Sequence, residues 1–158
     1  MSNVLPLQSS QFDTKLKNFV YGEYPWDHIP AGIYQASFHT WITYKYHNDR
    51  LVMIFSITDM GEHFGTYIPA FYGVQKHIGK PEPNGRFKCK PTGHLIKSLR
   101  RMMPDLPKRF RLDRVPMSKL FGNMYQIQVV DVKRDQDGNK YDEYEIYSKV
   151  KDYQVTIV

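Results

Sequence analysis

A mainly β fold is predicted by three observations: an aromatic-rich composition, apolar residues recurring with period two, and turn-forming clusters between the alternating runs. Aromatic residues make up 15% of the 158-residue chain, as 12 Tyr, 9 Phe and 2 Trp. Rings and β-branched side chains suit a pleated, half-buried surface. The length corresponds to one domain that can bury a core without disulfide staples.

Residues 1–31 are irregular in pattern. Phe19, Tyr21, Tyr24 and Trp26 lead into PWDHIPAG, and an N-terminal arm packed on the domain or on a partner is expected. From Gly32 the pattern sharpens. In GIYQASFHTWITYKY, Tyr34, Ala36, Phe38, Ile42, Tyr44 and Tyr46 alternate with Gln35, Ser37, His39, Trp41, Thr43 and Lys45, which predicts a long half-buried strand. HND is a tight turn, and RLVMIFSITDM, apolar almost throughout, is a central strand. MGEHFG is a glycine-bracketed turn. A third strand then runs from Phe64 to about Gln75, with Ile68, Ala70, Tyr72 and Val74 on one side and Tyr67, Pro69 and Phe71 on the other. Three strands joined by short turns make an antiparallel meander.

IGKPEPNGRFKCKPTG reads as a long basic loop. GHLIKSLRRMM carries Leu95, Leu99 and Met102 at helical spacing and predicts a helix ending at Pro104. PDLPKRFRLDRVP is a basic linker and PMSKLFGN a short helical turn. MYQIQVVDVKRD is another alternating strand, and DQDGNK is a hairpin turn because Asp-Gly tolerates positive φ. KYDEYEIYSKVKDYQVTIV completes the hairpin. Three strands, a helical excursion and a two-strand hairpin are the layout of a five-stranded Greek-key OB barrel. The expected organisation is an N-terminal arm over 1–31 and an OB-fold domain over 32–158, with a basic loop-helix insertion over 76–122.

The net charge of +6 is unevenly spread. From Lys76 to Lys119 there are 13 Lys or Arg against three acids, Glu82, Asp105 and Asp113, whereas the other residues hold nine bases and 13 acids. A block of this kind is an electrostatic footprint for a polyanion. The alternative is a solvated helix face whose lysines serve solubility.

If the barrel interior takes Ile68, Ala70, Tyr72 and Val74, then Tyr67 and Phe71 point outward, and the same alternation puts Trp41 outward on the first strand. Single-stranded nucleic acid covers such rings by stacking, worth roughly 1–3 kcal/mol per base. The candidate nucleic-acid-binding residues are therefore Trp41, Tyr67 and Phe71 for bases. For phosphates they are Lys45, Arg50, Lys76, Lys80, Arg86, Lys88, Lys90, Lys97, Arg100 and Arg101, with Lys108, Arg109 and Arg111 of the basic linker as further candidates. Three alternatives stand beside this reading: the arm covers the rings, a homo-oligomer interface covers them, or a β-bulge in the first strand turns Trp41 inward.

Little points to catalysis. The six histidines, His28, His39, His47, His63, His77 and His94, are scattered without helical metal-ligand spacing. Cys89, the single cysteine, allows no internal disulfide and no thiolate zinc cage, and its KCK setting does not mark a nucleophile. Asp105, Asp131 and Lys133 spell a loose PD…DxK nuclease pattern, whose chemistry needs two carboxylates on a divalent metal. Asp105, however, sits in a proline-bracketed linker. DQDGN is too short for a calcium loop, and no Walker-type glycine loop is present. No enzyme activity, metal or cofactor is expected. MSNVLPLQSSQFDTKLKNF lacks the apolar core of a signal peptide, and no run approaches the roughly 20 apolar residues of a membrane span. A soluble, cytoplasmic protein is expected.

Three stretches, PAGIYQA, RLVMIFSITDMGEHFGTYIPAFY and LFGNMYQIQVVDV with YSKV, carry a resemblance over roughly Ile29 to Val150. In layout the chain resembles the small OB-fold single-stranded DNA-binding proteins encoded by phages, plasmids and integrative mobile elements. The resemblance implies coating of single strands during DNA replication, recombination or element transfer, without catalysis and beside replication or recombination proteins. One departure is the end of the chain: KDYQVTIV reads as strand, not as the acidic tail with which housekeeping binders recruit partners. The alternative function is a protein-interaction module whose basic block docks an acidic replication partner such as a polymerase or helicase.

Overall fold

The structure, a computed structural model, describes residues 19–22 and 24–158. Residues 1–18 and 23 of the expected arm lie outside them. The protein is mainly β: strands β1 (Gly32–Tyr46), β2 (Asn48–Ile57), β3 (Tyr67–Gly73), β4 (Lys76–Ile78), β5 (Arg86–Lys88), β6 (Met124–Val132) and β7 (Tyr147–Ile157), with helix α1 (His94–Met102) between β5 and β6. Five strands form one antiparallel sheet in the order β3-β2-β1-β6-β7. The two outermost strands, β3 and β7, approach each other, but no ladder joins them among the described residues. The sheet curls without closing.

One face of the sheet holds the main core. Ala36, Phe38, Leu51, Met53, Phe55, Ile68, Ala70, Tyr72, Tyr125, Ile127 and Val155 lie there, all buried. Helix α1 packs against β7 and β3. It buries Leu95, Ile96, Leu99 and Met102, the i, i+1, i+4, i+7 stripe of an amphipathic helix. Ser98 is also buried on this face, and its hydroxyl lies 2.9 Å from that of Tyr72. Lys97, Arg100 and Arg101 remain exposed on the opposite side, with the two arginines in the last turn, where positive charge offsets the helix dipole.

The alternation in β1 is broken. Phe38 pairs with Phe55 and Thr40 with Ile54, so His39 is an extra residue, a β-bulge. Because side-chain parity is two, one inserted residue exchanges the faces of everything after it. Trp41 therefore pairs with Met53 on the core face and packs against the main core. Ile42 and Tyr44 turn to the other face, where they are buried with Val52 and Ile54. The expected outward placement of Trp41 is corrected accordingly, as is the expectation that Ile42, Tyr44 and Tyr46 share a face with Phe38. On β3 the parity holds: Ile68, Ala70 and Tyr72 face the main core, and Tyr67 and Phe71 the second face.

That second face is a core of its own. Phe19, Tyr21, Tyr24 and Trp26 pack on Ile42, Tyr44, Val52 and Ile54, together with Tyr67 and Phe71. Tyr21 stacks on Tyr44 with centroids 5.3 Å apart and meets Phe71 edge-on at 5.3 Å. Further along, the arm is tied to β7. Ser148 N–H donates to Asp27 O at 2.9 Å, Ile29 N–H donates to the Ser148 hydroxyl at 2.8 Å, and that hydroxyl donates to Ile29 O at 3.1 Å. Ser148 is fully buried, so Ser148→Ala strands a buried N–H. A loss of about 1–3 kcal/mol is expected in urea unfolding, against about 0.5 kcal/mol or less for a solvent-facing serine.

The expected basic loop is more ordered than its composition suggested. β4 and β5 form a two-stranded ribbon in which Lys76 pairs with Lys88, His77 with Phe87 and Ile78 with Arg86. Residues 82–85 close along β1: Thr43 N–H donates to Glu82 O at 3.1 Å and Asn84 N–H to Trp41 O at 2.9 Å. Gly85 is required at this contact, because a Cβ there would collide with the Thr43 hydroxyl. The hairpin partner β7 also departs from regularity. Ile127 pairs with Val155 but Val129 with Val150, so residues 151–154 leave the ladder, and Tyr153 takes φ 47°. Its ring stacks on His94 of α1 at 5.0 Å, which fastens the helix to β7. Among the described residues, no helix is long and apolar enough to cross a membrane.

Candidate functional site

The gap between β3 and β7 opens into a cleft of about 420 Å³. Arg50 enters it from the start of β2, Phe71 from β3, Lys90 from the approach to α1 and His94 from the first residue of α1. Arg134 and Tyr141 come from the β6–β7 hairpin, Tyr147 and Lys149 from β7, and Tyr21 from the arm. Each position has a local cause. The β1–β2 turn, with His47 at φ 62°, brings Arg50 back towards the cleft, and its Nε donates to Tyr46 O at 3.3 Å. Lys90 reaches over Gly73, where a Cβ would stand only 3.4 Å from Nζ. The DQDGN turn closes as an Asx turn: Asp135 Oδ1 accepts from Asp137 N–H and Asn139 N–H, both at 2.9 Å. Arg134 Nη1 donates across it to Gly138 O at 3.0 Å.

Charge in the cleft is one-sided. Arg50, Lys90, Arg134 and Lys149 line it against Asp135 and Asp152. Asp135 is occupied by its turn amides, and Asp152 lies 3.7 Å from His94. None of the four cations forms an ion pair among the described residues. Between them stand rings. Burial pushes the Tyr147 phenol well above the usual tyrosine range, and the neighbouring Tyr21 and Tyr141 hydroxyls add to the shift. Burial also raises Tyr21, against the opposing pull of Arg50 and a hydrogen bond to Gln136. These phenols stay neutral at physiological pH, so they offer faces and hydroxyl groups to a ligand and do not repel an anion. Cations set between aromatic rings supply the two kinds of contact, charge and stacking, that phosphates and bases take.

Of the candidate residues read from the sequence, the cleft brings together Arg50, Phe71 and Lys90. Tyr67 lies beside His39 on the second face, with ring centroids 4.8 Å apart, and the arm shares that face. Lys45 pairs with Asp49 at 3.7 Å. Lys76 and Lys88 oppose each other on the β4–β5 ribbon, and Lys80 is exposed just beyond it. Lys97 and Arg101 stand over the Tyr153 ring at 5.1 and 5.7 Å. Arg100 covers Phe110 at 5.5 Å and donates to the carbonyls of Pro107 and Lys108, so it stiffens the linker. Trp41 and Arg86 line a separate pocket. Sequence reasoning missed Tyr21, Arg134, Tyr141, Tyr147 and Lys149. Arg134 and Tyr141 flank the DQDGN turn, and that position was their only local signal.

Asp131, Asp135 and Cys89 of the weaker motifs are engaged or buried in the fold. Asp131 Oδ1 lies 3.0 Å from His28 Nε2, and no group of three or more His, Cys, Asp or Glu able to hold a metal occurs among the described residues. Cys89 is fully buried and its thiol is pushed up to about 11 by that burial, a setting that suppresses thiolate chemistry. No protein-family model matches the chain, and no curated protein matches it in sequence.

Proposed function

We propose that the chain is a non-enzymatic single-stranded DNA-binding protein, largely indifferent to base sequence, built on an OB barrel. One observation carries the reading: four cations without ion-pair partners among the described residues line a single cleft between aromatic rings, while of its two acids Asp135 accepts from turn amides and Asp152 lies 3.7 Å from His94. The strand order, with β1 between β2 and β6 and a helix ahead of β6, supports the barrel type. OB folds are partly open barrels that bind oligonucleotides through the turns joining the first to the second and the fourth to the fifth strands. Arg50 follows the first of these turns, and Arg134 and Tyr141 flank the second. On the sequence resemblance, the activity serves DNA replication, recombination or transfer of a mobile element, beside replication proteins in the cytoplasm.

The function is tested by anisotropy of labelled thymine oligonucleotides, with matched RNA and duplex as further arms. Single strands are expected to bind and the duplex to bind weakly, because stacked base pairs cannot present their faces to the rings. With four phosphates neutralised, log affinity should fall against log salt with a slope of about −3, roughly 50-fold between about 50 and about 200 mM salt. Absence of single-strand binding at low salt would sink the proposal and turn attention to an acidic protein partner.

A further inference from the structure

A second pocket, of about 320 Å³, lies at the Arg86 end of the β4–β5 ribbon, between Trp41, β5 and residues 113–117. Its aromatic wall is unusual for a surface. The Trp41 indole is only half-buried, and its orientation is set by a hydrogen bond from Nε1 to Gly85 O at 2.9 Å. Phe121 stands beside it, with ring centroids 5.9 Å apart, and is 43% exposed. Arg86 and Arg114 line the pocket, both exposed and neither in an ion pair among the described residues. The single acid there, Asp113, is held by Arg111 through contacts of 3.1 and 2.8 Å. The pocket therefore combines a fixed aromatic wall with two available guanidinium groups.

The ribbon links this pocket to the cleft. His77 and Phe87 point inward, where Phe87 is buried and His77 Nε2 lies 2.9 Å from Arg50 O. The alternate residues Lys76, Lys88 and Arg86 therefore share the opposite face. Lys76 directly opposes Lys88, an arrangement that repels unless an anion lies across it. From Lys90 in the cleft to Arg86 at the pocket the extended chain covers only about 13 Å. A polyanion leaving the cleft meets positive charge the whole way.

From these contacts the geometry points to a second contact site for the same single strand: a nucleobase stacks against Trp41 and Phe121, its flanking phosphates meet Arg86 and Arg114, and the backbone crosses Lys76 and Lys88. This extends the DNA-binding reading and rests on it. The chain's two tryptophans make the test possible. Trp26 belongs to the arm, 6.2 Å from Phe71 of the cleft, so Trp26→Phe leaves Trp41 as the only indole. Thymine oligonucleotides of about 4 and about 16 residues, the span of site sizes known for one OB fold, are titrated while Trp41 fluorescence and the anisotropy of the labelled DNA are both read. The short strand is expected to bind without quenching Trp41. The long strand should quench it and bind roughly tenfold or more tightly. Arg86→Glu with Arg114→Glu should abolish the quenching and reduce long-strand affinity to the short-strand level, with short-strand binding and the melting midpoint unchanged. A long strand that binds no tighter and leaves Trp41 unquenched, while the short strand still binds, overturns this site and leaves the cleft standing. No anisotropy change with either strand overturns both.

Discussion

Ile54→Ala is expected to destabilise the protein by about 2–5 kcal/mol, the range for truncating a fully buried isoleucine. The expectation comes from the second face of the sheet. Ile54 is fully buried there, between β-strand neighbours and the rings of Phe19, Tyr21, Tyr24 and Trp26. Urea unfolding of the full chain measures it. If that face were instead an open platform awaiting a ligand, the same change would fall within about 0.5 kcal/mol, as at other exposed positions. A small value would therefore mean that the arm does not cover the sheet in solution, and Tyr67 and Phe71 would return as stacking candidates on an open surface. A large value makes the arm part of the folded domain and confines ligand binding to the edges of the aromatic cluster, where Phe71 meets the cleft.

The second large effect is expected from charge. Arg134→Glu combined with Lys149→Glu should weaken single-strand binding by roughly 100-fold at about 50 mM salt and flatten the log–log salt slope by about 1.4, two phosphate contacts at about 0.7 each. Both residues line the cleft and neither forms an ion pair among the described residues, so folding stability should change little. Lys108→Glu combined with Arg109→Glu is the control. It alters net charge by the same amount on exposed linker residues outside both pockets. Equal losses from the two pairs would mean that the DNA senses overall charge and that the cleft is not the site.

The two predictions meet at Phe71, which belongs both to the covered face and to the cleft wall. One ring there packs Tyr21 and Trp26 and lines the cleft. This explains why β3 reads as apolar on both sides. Its second face is covered by the chain's own arm, and only the margin of that face, at Phe71, reaches the cleft.

Local chemistry in the sequence determined the strands of the main sheet, the helix and the hairpin turn. Alternation, helical spacing and Asp-Gly are properties of neighbouring residues, and β1 begins and ends at Gly32 and Tyr46 as its pattern requires. The ribbon β4–β5 escaped because three-residue strands carry too little periodicity to stand out among prolines and lysines. The faces of β1 were decided only in three dimensions. Apolar side chains occur at both parities after His39, so the pattern cannot locate an inserted residue; the pairing of Phe38 with Phe55 and Thr40 with Ile54 does. The cleft is likewise a product of tertiary structure. Arg50, Lys90, Arg134 and Lys149 stand 15 to 44 positions apart from one to the next and share no motif. They converge because the curled sheet brings β3 and β7 side by side without joining them, and the charges at that seam lie close only once the main core has formed.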